Sequence, residues 1–260
     1  MILYSNGCSY TWGGTLFNHM QRSSPINKNA YCGAYTMDAE EDKKRLETVY
    51  PHHLSKLLNA SKVINDGLGC GSNARIVRKT LEYFNNLIYA GEDVSDHFVT
   101  IQWTELSRTE KFYSGSWWQF MINSWLNESE VKDYIDEKKW HSDYYKHYDN
   151  DEQQIETFIE QVYCLGNFFK VHKIPYLFFT HSGVVASFLK ESNSRYVKLN
   201  QNKIVNLLNR FTWYNNSVLH CSMFHSGIEN CLPVGSHPNA NGHIQWANKV
   251  YDYITEQKLL

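Results

Sequence analysis

A serine and a histidine at opposite ends of the chain carry the residue types that nucleophilic catalysis needs. Ser9 stands in Ser5-Asn6-Gly7-Cys8-Ser9-Tyr10-Thr11-Trp12-Gly13, directly after the apolar run Ile2-Leu3-Tyr4. A serine just past a glycine turn, where a helix begins, meets backbone N–H groups and the positive end of the helix dipole. The same N–H groups can hold an oxyanion. Helix capping by Ser9 is the competing reading, and from this segment alone it is the weightier one. His237 stands in Gly235-Ser236-His237-Pro238-Asn239-Ala240-Asn241-Gly242-His243, just ahead of the last helical pattern. A histidine fixed by a following proline is well placed as a general base. A surface turn built by Pro-Asn and Asn-Gly accounts for the same residues without chemistry.

The elements that must position these residues alternate along the chain. Ile2–Tyr4, Lys62–Asn65, His97–Trp103 and Tyr176–Thr180 read as strands. Between and after them, Pro51–Leu58, Asn73–Ile88, Glu152–Val171 and Asn241–Lys258 place apolar residues at helical spacing. Strands separated by helices imply βαβ units and a parallel sheet with right-handed crossovers. The expected fold is a three-layer α/β/α sandwich with a mainly parallel sheet of about five strands. Residues 18–50 and 111–150 fit no strand–helix unit. Both are expected to be insertions at the carboxyl ends of strands, where such folds bind ligands. The second is crowded with rings: Trp117, Trp118, Phe120, Trp125, Trp140, Tyr144, Tyr145 and Tyr148. No domain boundary is evident, so residues 1–260 are expected to form one domain.

Taken together, the two ends resemble the SGNH (GDSL-type) hydrolase superfamily through four separated blocks. Gly7-Cys8-Ser9 matches the first, with Cys8 where the family often has Asp. His237 to His243 matches the last residue by residue and is the most specific piece. The second, a glycine-rich turn after strand two, is matched by Asn65-Asp66-Gly67-Leu68-Gly69-Cys70-Gly71-Ser72-Asn73. The resemblance implies the three-layer flavodoxin-like fold, Ser9 as nucleophile and His237 as its base. It also implies an oxyanion donor among the backbone N–H groups of Gly69, Cys70 and Gly71; counting from Asn65 gives Cys70.

Two blocks depart from the family pattern. The third, usually Gly-x-Asn-Asp, is here Gln102-Trp103-Thr104-Glu105-Leu106-Ser107-Arg108. Thr104 falls where the oxyanion Asn would be, and its hydroxyl has one proton to donate. Arg108 and Glu105 either bind a substrate anion or pair with each other, two readings of equal weight. Asn73 and Glu229 are further supporting candidates. The orienting Asp usually stands three residues before the His, and Val234 occupies that place. Losing that acid is costly for catalysis, although a backbone carbonyl can orient an imidazole.

The resemblance implies hydrolysis of a small acyl ester, with a carbohydrate O-acetyl group as one candidate substrate. It calls for no cofactor. Three rivals stand beside it. His220, Cys221, His225, Cys231, His237 and His243 are metal-ligand types, but their spacing fits no zinc pattern. A non-catalytic binding module on the same fold would explain the altered blocks. Acyl transfer would use the same Ser-His machinery.

Composition narrows the remainder. Lys+Arg number 25 against 27 Asp+Glu, so no basic excess exists to neutralise phosphates and no nucleic-acid partner is expected. No apolar run approaches the ~20 residues of a membrane span, so no membrane partner is expected. The six cysteines include no CxxC pair and are read as reduced. With no signal-peptide pattern at the N-terminus, a cytoplasmic location is expected. Aromatic residues make up 15% of the chain, a surplus for which the ring-rich insertion offers a location.

Overall fold

The structure, a computed structural model, describes residues 1–14, 16, 39–113, 116–120, 150–228 and 237–260. At 111–113, 116, 118, 120 and 225 it describes the backbone alone. Its centre is a parallel sheet of four strands: β1 (Ile2–Asn6), β2 (Lys62–Asn65), β3 (His97–Trp103) and, later in the chain, the strand Tyr176–Thr180. A small antiparallel hairpin of β4 (Thr109–Tyr113) and β5 (Ser116–Phe120) intervenes, which makes Tyr176–Thr180 β6. The order across the sheet is β2-β1-β3-β6. Parallel bridges from Phe178 to Trp213 and from Thr180 to Ser222 mark a fifth position beyond β6.

Why β3 lies at the centre is visible in its residues. All seven of His97–Trp103 are buried, the mark of a strand covered on both faces. The two faces separate at β6. Phe178 meets Trp103 and Trp213 edge-on, whereas its neighbour Phe179 meets Tyr50 and Trp246. Successive strand residues point to opposite faces, so one layer contains Tyr50 of α3 (Tyr50–Leu57) and Trp246 of α8 (Ala240–Glu256). The other contains α4 (Asn73–Tyr89) and α5 (Asp151–Val171), where Phe84 packs against Phe168 and Phe169. The three-layer α/β/α sandwich is thus the observed architecture.

The expected helices occur within a residue or two of their places. Ser72, Asn150 and Asn239 cap α4, α5 and α8 by accepting from Arg75 N, Gln153 N and Gly242 N. Among the described residues, some elements were not expected. Helix α2 (Ala39–Thr48) lies inside the polar stretch 18–50, and α6 (Val184–Glu191) and α7 (Arg195–Leu208) follow β6. The β4–β5 hairpin opens the ring-rich insertion. Of that insertion's rings, Trp117 is described, its ring over the Arg78 guanidinium at 4.3 Å. Trp125, Trp140, Tyr144, Tyr145 and Tyr148 lie outside the described residues, as do the side chains of Trp118 and Phe120.

Candidate active site

The strand order reverses direction between β1 and β3, and open α/β sheets bind ligands outside the carboxyl ends of strands at such a point. Ser9 follows β1, Thr104–Arg108 follow β3, the glycine turn follows β2, and His181 follows β6. His237 arrives on the same rim because it stands two residues ahead of the Asn239 cap of α8.

The turn carrying Ser9 is tied down from both sides. Asn6 Oδ1 accepts from Gly7 N at 2.8 Å, while Asn6 Nδ2 donates to Ile76 O and Thr80 Oγ1 in α4. A Cβ on Gly7 would collide with Thr11 Oγ1 and come within 2.8 Å of Gln102 Cβ. The absent side chain lets Thr11 donate to Gln102 Oε1 at 2.5 Å, a bond that fastens the turn to β3. Gln102 Nε2 in turn donates to Cys8 Sγ. Burial pushes the Cys8 thiol up, against the weaker opposing pull of Arg108. A fully buried thiol held in its protonated form is no nucleophile.

Ser9 begins α1 (Ser9–Trp12), a single turn capped at its start by Cys8 without a side-chain bond. The short helix leaves little dipole for Ser9 to use, contrary to expectation. Capping is also not what Ser9 does. Its Oγ lies 2.7 Å from His237 Nε2, the contact an activated serine needs.

The expected oxyanion donors divide. Gly71 N donates to Leu68 O at 2.9 Å within the glycine turn, which removes it as a donor. Gly69 and Cys70 remain, with the N–H of Ser9 itself. Among the described residues, the Ser9 and Gly69 amides donate to no protein acceptor. Cys70 adopts φ +60, a left-handed conformation uncommon for any residue with a Cβ. A glycine would take it without strain.

Thr104 also departs from expectation. Its hydroxyl donates to Glu105 Oε2 at 2.7 Å, so its one proton is spent on a carboxylate rather than on an oxyanion. Arg108 resolves toward the local ion pair, with Nε 2.5 Å from Glu105 Oε2. Asn73 supports the block, its side chain bonding both Thr104 N and Thr104 O. Glu229 and Val234 lie outside the described residues.

Two residues absent from the sequence reading complete the site. His181 Nε2 lies 3.0 Å from Glu105 Oε1. Partial burial opposes ionisation of Glu105, but His181, Arg108 and the Thr104 hydroxyl outweigh it and hold the carboxyl well below the usual range. Tyr10 stacks on both His181, at 4.6 Å, and His237, at 4.3 Å between ring centroids. His181 had one sequence signal: it follows β6 at the strand end where the other site residues cluster.

The residues of the metal rival are divided. Cys221 is buried and its thiol donates to Val218 O. His243 is buried with Nδ1 accepting from Tyr50 N. The His225 side chain and Cys231 lie outside the described residues.

Fold and site together define an α/β protein with a hydrogen-bonded Ser–His pair at the carboxyl edge of a parallel sheet. Residues 34–260 match the model of a family described as "Family of unknown function (DUF6071)", and the chain belongs to that family. The match begins after Ser9. No curated protein matches the chain in sequence.

Solved structures similar to it include three from ester-hydrolase lineages. One is a catalytic mutant of an acetylxylan esterase from Geobacillus stearothermophilus, 15% identical, with TM-score 0.42 over 97% of this chain and 93% of that one. Another is the psychrotrophic esterase EstA from Pseudoalteromonas sp., 8% identical, with TM-score 0.44 over 99% and 98%. A lipolytic-type protein of the G-D-S-L family from Desulfitobacterium hafniense DCB-2 is 11% identical, with TM-score 0.44 over 97% and 98%. None of these likenesses transfers a residue role or a substrate.

Proposed function

We propose that this chain is a serine hydrolase of small acyl esters, with Ser9 as nucleophile and His237 as general base. One observation carries the reading: the 2.7 Å contact between Ser9 Oγ and His237 Nε2 on the carboxyl rim of the sheet. In the first step Ser9 Oγ attacks the ester carbonyl as its proton passes to His237 Nε2. The developing oxyanion is received by the N–H groups of Ser9 and of Gly69 or Cys70. His237 then protonates the leaving alcohol, and the acyl group stays on Ser9. Water attacks next, giving its proton to His237, and the acid departs as the proton returns to Ser9.

A sugar ester is one form the substrate can take. Trp117, 48% exposed and seated on Arg78, offers a ring face of the kind on which sugars stack. With Thr104 committed to Glu105, the oxyanion hole rests on backbone donors alone. Losing a single such donor costs other enzymes about 10²–10³ in kcat, so slow turnover is expected.

The test is hydrolysis of p-nitrophenyl acetate by the purified protein and by Ser9→Ala, alongside an acetylated sugar. Activity lost in Ser9→Ala supports the assignment, and activity that survives it overturns it. Inactivity of both proteins toward both esters favours the binding module. Acetyl transfer to a hydroxyl of an added sugar in preference to water favours the acyltransferase.

A further inference from the structure

We propose that Tyr10 is the residue that positions the His237 imidazole, through ring stacking. The inference rests on the Ser9–His237 reading and extends it to a residue to which neither the family nor the comparisons give a role.

The geometry begins with a planar base that must aim one in-plane nitrogen at Ser9 Oγ. The Cβ–Cγ torsion of histidine is broad and roughly two-fold, so something must hold the plane. A carboxylate can do so by bonding the second ring nitrogen. A ring packed against the imidazole face does so differently, because turning about Cβ–Cγ would drive the imidazole edge into it. Tyr10 makes that contact, with centroids 4.3 Å apart and planes within 15°.

The position of Tyr10 in the chain suits this task. It follows Ser9 in α1, and successive helical side chains diverge by roughly 100°. The edge and the face of a planar ring are likewise about perpendicular. One turn of helix can therefore present the serine to the imidazole edge and the tyrosine to its face. The spacing between them is fixed by a single peptide unit, so a displacement of Ser9 carries Tyr10 with it.

The tyrosine ring is itself braced. Tyr10 is buried, and Phe224 meets it edge-on at 5.3 Å. His181 stacks on it at 4.6 Å and is anchored by Glu105, which Arg108 and the Thr104 hydroxyl hold. When His237 takes the serine proton it becomes a cation over an electron-rich face, which attracts it. Among the described residues, the charged and titratable groups around this stack include Glu105, Arg108 and His181 on the sheet rim and His243 in α8.

The experiment compares wild type with Tyr10→Phe, Tyr10→Leu and Tyr10→Met by ester kinetics and by NMR of the His237 ring carbons and protons. Tyr10→Phe keeps the ring and is expected to keep kcat within about threefold. Tyr10→Leu and Tyr10→Met are expected to lower kcat about tenfold or more with KM little changed, as misplacement of a catalytic group does. The His237 ring protons should show a ring-current shift in wild type and Tyr10→Phe that collapses in the other two. Two aliphatic replacements guard against a folding failure in either, and backbone spectra check the fold.

Full kcat in Tyr10→Leu, or equal loss in Tyr10→Phe, overturns the proposal while leaving Ser9 and His237 as they are. A wild-type protein without esterase activity overturns the proposed function, and the positioning role falls with it.

Discussion

Asn73 clasps the backbone of Thr104 on both sides of its Cα. Its Oδ1 accepts from Thr104 N at 2.9 Å and its Nδ2 donates to Thr104 O at 3.1 Å. Both residues are buried, so this side chain joins the start of α4 to the loop that carries Glu105 and Arg108. Asn73→Ala would leave a buried N–H and a buried carbonyl without partners. At roughly 1–3 kcal/mol for an abandoned group, the expected loss is about 2–4 kcal/mol, since part of the loop can relax toward water. Urea unfolding would read it as a lowered midpoint with an unchanged slope.

Gly7 makes a sharper case. A methyl group there would meet Thr11 Oγ1 and Gln102 Cβ, in the two side chains whose hydrogen bond fastens the Ser9 turn to β3. Neither atom can retreat far, because Gln102 is part of a fully buried strand. Gly7→Ala is expected to cost about 1–3 kcal/mol, as overpacking does. It should also displace Ser9 and lower ester turnover by at least about tenfold. Steady-state kinetics beside thermal unfolding separates the two effects. Gly14→Ala is a milder control, since its Cβ would lie 3.2 Å from Ser9 Cβ and 3.4 Å from His237 Cδ2.

The sheet was legible because its strands declare themselves locally. Ile2–Asn6, Lys62–Asn65, His97–Trp103 and Tyr176–Thr180 are apolar runs bounded by turn residues. The large helices carry apolar residues at helical spacing because one face is buried on that sheet. Helix α2 escaped for the opposite reason: among its ten residues the buried one is Arg45, so no apolar period exists to be read. The fifth sheet position is made by Trp213 and Ser222 in separate loops, with no strand-length run behind it. Ser9 and His237 were legible because each sits in a short motif whose local geometry suits its chemistry. Tyr10 and His181 were not, since their significance lies in contacts between segments far apart in sequence. Thr104 shows the limit from the other side. A motif position suggests which atom can donate, but the neighbouring carboxylate decides where the proton points.

Glu110 ties the β4–β5 hairpin to the rest of the molecule. Its buried carboxylate accepts from Arg78 Nε and Arg78 Nη2, both at 2.8 Å, and from Gln119 Nε2 at 2.9 Å. Gln119 Oε1 then accepts from Ser72 N, the residue after the glycine turn. Glu110→Ala removes the hub and leaves the Gln119 amide without that acceptor. Arg78 is partly exposed, so water takes up some of its lost pairing. The expected destabilisation is about 2–3 kcal/mol. Hydrogen exchange should show β4 and β5 opening before the main sheet, as a weakly anchored unit does. Uniform exchange across hairpin and sheet would argue against a separately anchored hairpin.

His243 gives the stability a predictable pH dependence. Its Nδ1 accepts from the Tyr50 N–H at 3.2 Å, which requires that nitrogen to be unprotonated. Burial is the main cause holding its pKa down, from 6.5 to about 3, with smaller pushes from His53 and His237. Unfolded, the imidazole gains a proton below about 6.5, whereas the folded protein resists until about 3. The unfolded state therefore binds more protons throughout this window, and stability must fall as pH falls. The slope from one such group is about 1.4 kcal/mol per pH unit, full only well inside the window. His97 is shifted the same way, mainly by burial, and adds to the slope. Urea unfolding at pH 7, 6 and 5 should thus show a decline in wild type that is shallower in His243→Gln. That variant should start lower at pH 7, because the fit of the imidazole to the Tyr50 N–H is lost. An identical slope in the two proteins would show that His243 charges without cost in the folded state, and that the Tyr50 contact is dispensable.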